Sequence, residues 1–143
     1  MKFENVSVLG LGHVDAPEIV TSRTIEVELA QTVERLGLPL GLLENVAGIQ
    51  ERRWWPEAFM PSDAAAMAAE RVFETSGIDR SRVGVIVNTS VCRDFIEPST
   101  ASIVHHKLGL SGACQNFDLG NACLAFLNAM DIVGGMIERG TVD

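Results

Sequence analysis

The sequence predicts an α/β domain with a mostly parallel sheet, and three observations predict it. Short apolar runs alternate with stretches of helical periodicity in the order β–α–(irregular)–α–β–α–β–α. The run VGVIVNTSV (83–91) is apolar but too short for a helix, the pattern of a central parallel strand. Glycine stands where each long helical pattern stops, at Gly37, Gly77, Gly109 and Gly140.

The elements follow in order. VSVLGLGHV (6–14) reads as a first buried strand whose glycines permit close backbone approach. APEIVTS reads as a loop, with Thr21 or Ser22 as N-cap of a helix. That helix carries Ile25, Leu29, Val33 and Leu36 on one face and stops at Gly37. Residues 39–61 are irregular, with a short helix leading into an edge strand. Ser62 is expected to cap the alanine-rich helix DAAAMAAERVFETSG. After the central strand, CRDFIEP is a loop, and Pro98 suits the first turn of a helix ending at Gly109. CQNFDLGN is another short strand. CLAFLNAMDIVGGMIERG is a long helix, apolar on most sides, and therefore expected inside the protein. A helix just before the last residues leaves the alternation looking unfinished.

Composition narrows the function. The chain has 143 residues, 47% hydrophobic and 21% charged, which describes a globular domain with a core. A net charge of −8 disfavours nucleic acid, whose phosphates need clustered Lys and Arg. It leaves room for an anionic substrate at one local basic pocket. No stretch approaches the roughly 20 apolar residues of a membrane span, and the first residues do not form a signal peptide. Cys92, Cys114 and Cys123 form no CxxC and no zinc spacing, so no metal is expected. Three thiols without an export signal suggest reduced cysteines in the cytoplasm.

Cys123 is the candidate nucleophile. It falls between the strand CQNFDLGN and the final helix. A helix N-terminus offers unpaired N–H groups and partial positive charge, which favour a thiolate. The same N–H groups can stabilise an oxyanion on an acyl group. The turn would also sit at the C-terminal sheet edge, where α/β proteins bind ligands. A free cysteine is more often an inert buried thiol, and position alone leaves both readings open.

NACLAF resembles the active-site segment of the thiolase superfamily, and GIQERR (48–53) resembles the Gly-Ile-x-x-Arg segment of its 3-oxoacyl-ACP synthase III branch. HVDAPEIVTS, NTSVCRDFIEPSTASIV and FDLGNACLAFLNAMDI are more similar to the OleA-type enzymes of that superfamily, which join two long acyl-CoA molecules head to head. The resemblance runs from Val6 to the end. It implies that Cys123 is the acylated cysteine. It also implies that Glu97, in the sequence EPS, is the base that removes the α-proton of the second thioester from across a subunit interface. Without the resemblance, Glu97 reads as a helix first-turn carboxylate favoured by the dipole. A carboxylate facing an acyl channel would be desolvated and pushed toward the working pH.

The implied reaction is a non-decarboxylative Claisen condensation serving fatty-acid and olefin biosynthesis, with coenzyme A thioesters as substrates and no separate cofactor. The implied fold is the N-terminal half of a thiolase-like α/β architecture over residues 1–143. The family's catalytic His and Asn belong to the other half. His13, His105 and His106 match no catalytic motif and read as structural or surface residues. A homodimer, or a heteromer with a chain supplying the second half, is therefore expected, and so is an exposed apolar surface on this half alone.

Other residues carry weaker expectations. Arg52 and Arg53 are candidates for the CoA phosphates or a solvated pair. Trp54 and Trp55 suit packing better than adenine stacking. Leu42 and Val46 replace the aromatic and arginine that clamp adenine in the synthase III branch. Asn88 and Thr89 end the central strand near the presumed site. Cys92 and Cys114 read as ordinary buried or half-buried thiols. Two alternatives stand beside the OleA-type reading: a synthase III-like condensation with malonyl-ACP, and a non-catalytic acyl-binding or assembly subunit.

Overall fold

A computed structural model describes residues 2–142. They form two compact units, residues 15–58 and the remainder (2–14 with 59–142).

The smaller unit is an antiparallel pair with three short helices. Strand β1 (Glu18–Thr21) pairs with β2 (Glu51–Trp54), Glu18 opposite Trp54 and Thr21 opposite Glu51. Helices α1 (Ser22–Glu28), α2 (Ala30–Arg35) and α3 (Leu42–Asn45) lie between them in sequence. The expected loop over 16–22 is therefore partly a strand. The β-branched run Ile19-Val20-Thr21 was the signal for it. Thr21 ends the strand and caps α1, accepting the Thr24 N–H at 3.0 Å. The single helix expected to run to Gly37 breaks at Leu29, where ψ is near 7°. Ile25 and Val33 are half-buried, whereas Leu29 and Leu36 are exposed. The Glu26 carboxylate accepts the N–H groups of Gly41 and Leu43 at 2.7 and 2.9 Å, which ties α1 to the start of α3.

The larger unit holds the parallel pair, β3 (Val85–Asn88) beside β4 (Gln115–Asp118), with Val85 opposite Gln115 and Asn88 opposite Asp118. Helix α4 (Pro61–Ser76) precedes β3, α5 (Thr100–Lys107) connects the strands, and α6 (Ala125–Glu138) follows β4. Strand, helix and parallel strand in succession is the βαβ arrangement the alternation predicted. The core lies between α4, α5 and the pair. Val104, Leu108, Leu110 and Cys114 pack with Ala65, Ala66, Ala69, Phe73, Val83 and Ile86. On α5 the buried positions 101, 104 and 108 repeat at helical spacing.

Helix ends explain the corrections at α4 and α5. Pro61, not Ser62, opens α4, because proline suits the first helical position and needs no N–H partner. Ser62 is consequently inside the first turn and buried, while Asp63 reaches back to the Met60 N–H at 3.0 Å. Gly77 ends α4 with φ 68°, the left-handed conformation glycine adopts at least cost. Pro98 precedes α5 instead of entering it. The Glu97–Pro98 bond is cis, and Ser99 is the cap, accepting the Ser102 N–H at 3.2 Å.

Two further expectations change. The segment 6–14 forms no strand ladder among the described residues, and Val8, Leu9 and Leu11 are exposed. A strand is a property of pairing, and here the close approach that glycine allows is to a helix. A Cβ on Gly12 would stand 2.8 Å from Cγ2 of Val72 on α4. Helix α6 is buried only at Ala125, Ala129, Gly134 and Met136, whereas Phe126, Leu127, Met130 and Ile132 are exposed. An apolar helix needs protein on every side, and the described residues cover only part of it.

Candidate active site

The chemistry-bearing residues of the larger unit gather where β3 and β4 end. Parallel strands direct both C-termini to one edge, so the turns after Asn88 and Asp118 emerge together. The Leu119 N–H donates to the Asn88 carbonyl at 2.9 Å, carrying the ladder one step past β4. Gly120 and Asn121 then lead into a 3-10 turn, Ala122–Leu124, and directly into α6.

Cys123 sits in that 3-10 turn, with its thiol-bearing side chain exposed. Ala122, just before it, has φ 43°, the only non-glycine with positive φ among the described residues. A Cβ in that region costs on the order of 1 kcal/mol, a cost that recurs at functional turns. Three hydrogen bonds hold the turn: the Leu124 N–H to the Asn121 carbonyl at 3.0 Å, the Ala125 N–H to the Ala122 carbonyl, and the Asn121 side-chain amide to Oδ1 of Asn128 at 2.7 Å. No side chain caps the start of α6; its first N–H group, that of Ala125, is the one that donates to the Ala122 carbonyl of the turn. An exposed sulfur on a strained turn just before a helix is a group that can accept an acyl group.

Glu97 lies in the same unit, on the loop between β3 and α5, and is exposed. The loop is fastened at two points. The Asp94 N–H donates to Oγ1 of Thr100 at 3.2 Å, and Asp94 Oδ1 accepts the Ser62 N–H at 2.9 Å. Asp118, the last residue of β4, accepts the N–H groups of Thr100 and Ala101 at 3.0 and 2.8 Å. Sequence reasoning missed Asp118 and Thr100. The signal was an aspartate at the end of a strand and a threonine at the start of a helix, neither unusual until the fold opposes them.

Arg52 and Arg53 belong to the smaller unit, on β2. Arg52 is half-buried and donates to Oγ of Ser22 at 2.9 Å, while the Ser22 hydroxyl donates to the Ile49 carbonyl. Arg53 is exposed and donates to the Ala16 carbonyl at 3.3 Å. Both guanidinium groups thus stitch their own unit. Trp54 is exposed and Trp55 half-buried.

The remaining candidates separate by burial. Cys114 is in the core, and burial pushes its thiol above the ordinary range. Cys92 is exposed, correcting the expectation of a buried or half-buried thiol, because its loop stands clear of the core. Asn88 Nδ2 is buried without a protein partner. It borders a cavity of about 390 Å³ lined by Ala65, Ala69, Thr89 and Ser90 among others. His105 Nε2 meets the Ser111 carbonyl at 3.0 Å, and His13 and His106 are exposed. Among the described residues, no group of three or more His, Cys, Asp and Glu side chains could hold a metal. No helix among them is long and apolar enough to cross a membrane.

Fold and thiol-bearing turn together define a thiolase-like α/β protein. Within that class the chain is a homologue of the OleA and synthase III proteins. No protein-family profile matches it. It is 49% identical over 143 residues, all of its own length and 42% of the relative's, to an acyl-CoA:acyl-CoA alkyltransferase of Xanthomonas campestris pv. campestris. It superposes with TM-score 0.91 and 48% identity on a crystal structure of a variant of Xanthomonas campestris OleA, covering 100% of this chain and 44% of that one. It matches a 3-oxoacyl-(acyl carrier protein) synthase III (FabH) structure from Xanthomonas oryzae pv. oryzae at TM-score 0.92 and 50% identity, covering 100% and 42%. The chain therefore spans less than half the length of each of these proteins.

Proposed function

We propose that this chain is the nucleophile-bearing, N-terminal half of an acyl-CoA condensing enzyme. The supporting observation is Cys123, exposed behind a strained Ala122 at the head of α6. The similarity to an acyl-CoA:acyl-CoA alkyltransferase supplies the substrate class.

In this reading the Cys123 thiolate attacks the carbonyl of a long-chain acyl-CoA. The C–S bond to CoA breaks and CoA leaves as thiolate. Glu97 takes the α-proton of a second acyl-CoA, and the carbanion attacks the Cys123 thioester. A C–C bond forms, the cysteine thiolate is released, and the product is a β-ketoacyl thioester, or the free acid after hydrolysis. Backbone N–H groups at the Cys123 turn stabilise both tetrahedral intermediates. No cofactor beyond the CoA thioester takes part. The exposure of Glu97 suits a base that acts across an interface, where the partner surface desolvates it. The remaining catalytic groups come from the polypeptide that completes the fold, in the same chain or another, and the assembly is cytoplasmic. Arg52 and Arg53 remain candidates for CoA phosphates, with Arg53 the more available by exposure.

The test is intact-mass analysis of the chain, joined to the completing polypeptide, after incubation with a long-chain acyl-CoA. A single acyl adduct on Cys123 supports the reading. An unmodified Cys123 favours a non-catalytic acyl-binding or assembly role. A second enzymatic reading draws on the similarity to a synthase III: decarboxylative condensation with malonyl-ACP, which needs no carboxylate base. Glu97→Gln separates them. Loss of condensation with Cys123 acylation retained supports the head-to-head reaction, and unchanged turnover supports the decarboxylative one.

A further inference from the structure

We propose that Thr100 is a positioning residue that fixes the Glu97 loop to the strand leading into Cys123. The proposal rests on the roles just assigned to Glu97 and Cys123.

Thr100 is fully buried at the start of α5 and is bonded in two directions. Its N–H donates to Asp118 Oδ2 at 3.0 Å, and the neighbouring Ala101 N–H donates to the other oxygen of the same carboxylate at 2.8 Å. Its hydroxyl Oγ1 accepts the Asp94 N–H at 3.2 Å. Asp94 is three residues before Glu97, and Thr100 is three residues after it. Asp118 is five residues before Cys123 and ends the strand that carries it. One side chain thus joins both feet of the Glu97 arch and, through its own backbone, the Cys123 strand.

Between the feet, Phe95, Ile96, Glu97 and Pro98 are all exposed. Nothing in the arch itself is packed, so the reach of the carboxylate depends on where its feet stand. Pinning both ends of a short segment removes most of its conformational freedom. A base held within reach of its proton gains rate from orientation alone. Asp94 adds a third anchor by accepting the Ser62 N–H of α4 at 2.9 Å. Ser62 in turn accepts from Lys107 Nζ at 2.8 Å, so the foot of the arch is referred to α4 and to the far end of α5.

The hydroxyl is the separable part. Thr100→Val keeps shape and burial and removes only the acceptor for the Asp94 N–H. Thr100→Ser keeps the acceptor. Two measurements read the consequence. Amide-resolved hydrogen exchange on the enzyme completed by the remaining polypeptide reports the arch directly. In Thr100→Val the Asp94 amide exchanges faster, on the order of tenfold, while the β3 amides are unchanged. In Thr100→Ser it exchanges as in the unaltered chain. If Thr100→Val does not fold, Thr100→Ala takes its place. An Asp94 amide indifferent to loss of the hydroxyl overturns the proposal.

The second measurement divides the reaction in the enzyme completed by the remaining polypeptide. Thr100→Val leaves Cys123 acylation within about twofold and lowers product formation about tenfold, with kcat and not KM carrying the loss. Thr100→Ser restores product formation. Equal losses in both steps indicate a structural residue and contradict the proposal. Glu97→Gln run in parallel isolates the underlying reading. If that variant forms product normally, the assignment of Glu97 fails, while the exchange result still decides whether Thr100 anchors the arch.

Discussion

The side-chain amide of Asn121 donates to Oδ1 of Asn128 across 2.7 Å, fastening the turn that carries Cys123 onto the helix that follows. The bond is exposed, so its loss affects stability little, about 0.5–1.5 kcal/mol. Its consequence is geometric, since Asn121 is two residues before the sulfur. Asn121→Ala is predicted to keep the helical circular dichroism of the chain and to slow acyl transfer to Cys123 several-fold. Stopped-flow release of CoA from a long-chain acyl-CoA by the completed enzyme measures it. An unchanged rate removes this bond from the site.

Ala122 pays for its left-handed backbone with strain that glycine does not incur. Ala122→Gly is therefore predicted to hold or raise the free energy of unfolding, by up to about 1 kcal/mol. The same change loosens the turn and lowers the acylation rate. Urea titration of the chain gives the first quantity. Destabilisation beyond 1 kcal/mol would mean that the positive φ is not a strained conformation.

The three thiols are predicted to react in two classes. Cys92 and Cys123 are exposed and Cys114 is buried, with burial raising its pKa above the ordinary 9.0. Iodoacetamide under native conditions should label the first two and spare the third, and in urea all three should react. Peptide mapping by mass spectrometry reads the result. The linkage has a definite sign. A thiol raised in the folded state contributes stability that is present below pH 9 and lost as pH rises through the folded pKa. Cys114→Ala should therefore flatten the alkaline fall in stability.

Asp63 gives the opposite sign. The hydrogen bond from Lys107, aided by the Met60 N–H, holds its carboxyl below the ordinary 3.8. A depressed carboxylate contributes stability that is present above pH 3.8 and lost as pH falls through the folded pKa. The urea midpoint of the chain should exceed that of Asp63→Asn at pH 6, and the two should converge in acid. A difference independent of pH contradicts the ion pair as its source.

Much of the fold was legible because its signals are local. Glycine stops appear as left-handed residues at Gly37, Gly77, Gly109 and Gly140. The parallel pair lies within the two runs expected of it. What could not be read depends on pairing across distance. The segment 6–14 has strand composition but no ladder, and Ile19-Val20 has one because β2 returns to it. The site divides the same way. Cys123 stands out as a cysteine between a strand and a helix, and Glu97 through its likeness to a family segment. Asp118 and Thr100 are ordinary residues whose roles arise only when β4 ends beside the start of α5. The strain at Ala122 leaves no mark in composition at all.

The central claim concerns one sulfur, and covalent labelling tests it most directly. The completed enzyme is incubated with a long-chain acyl-CoA, digested at neutral pH and mapped by mass spectrometry, with Cys123→Ser alongside. The acyl mass is predicted on the peptide containing Cys123, with none on Cys92 or Cys114, and it is absent from the Cys123→Ser protein. An acyl group found on Cys92, or none found on any thiol while product still forms, would contradict the account.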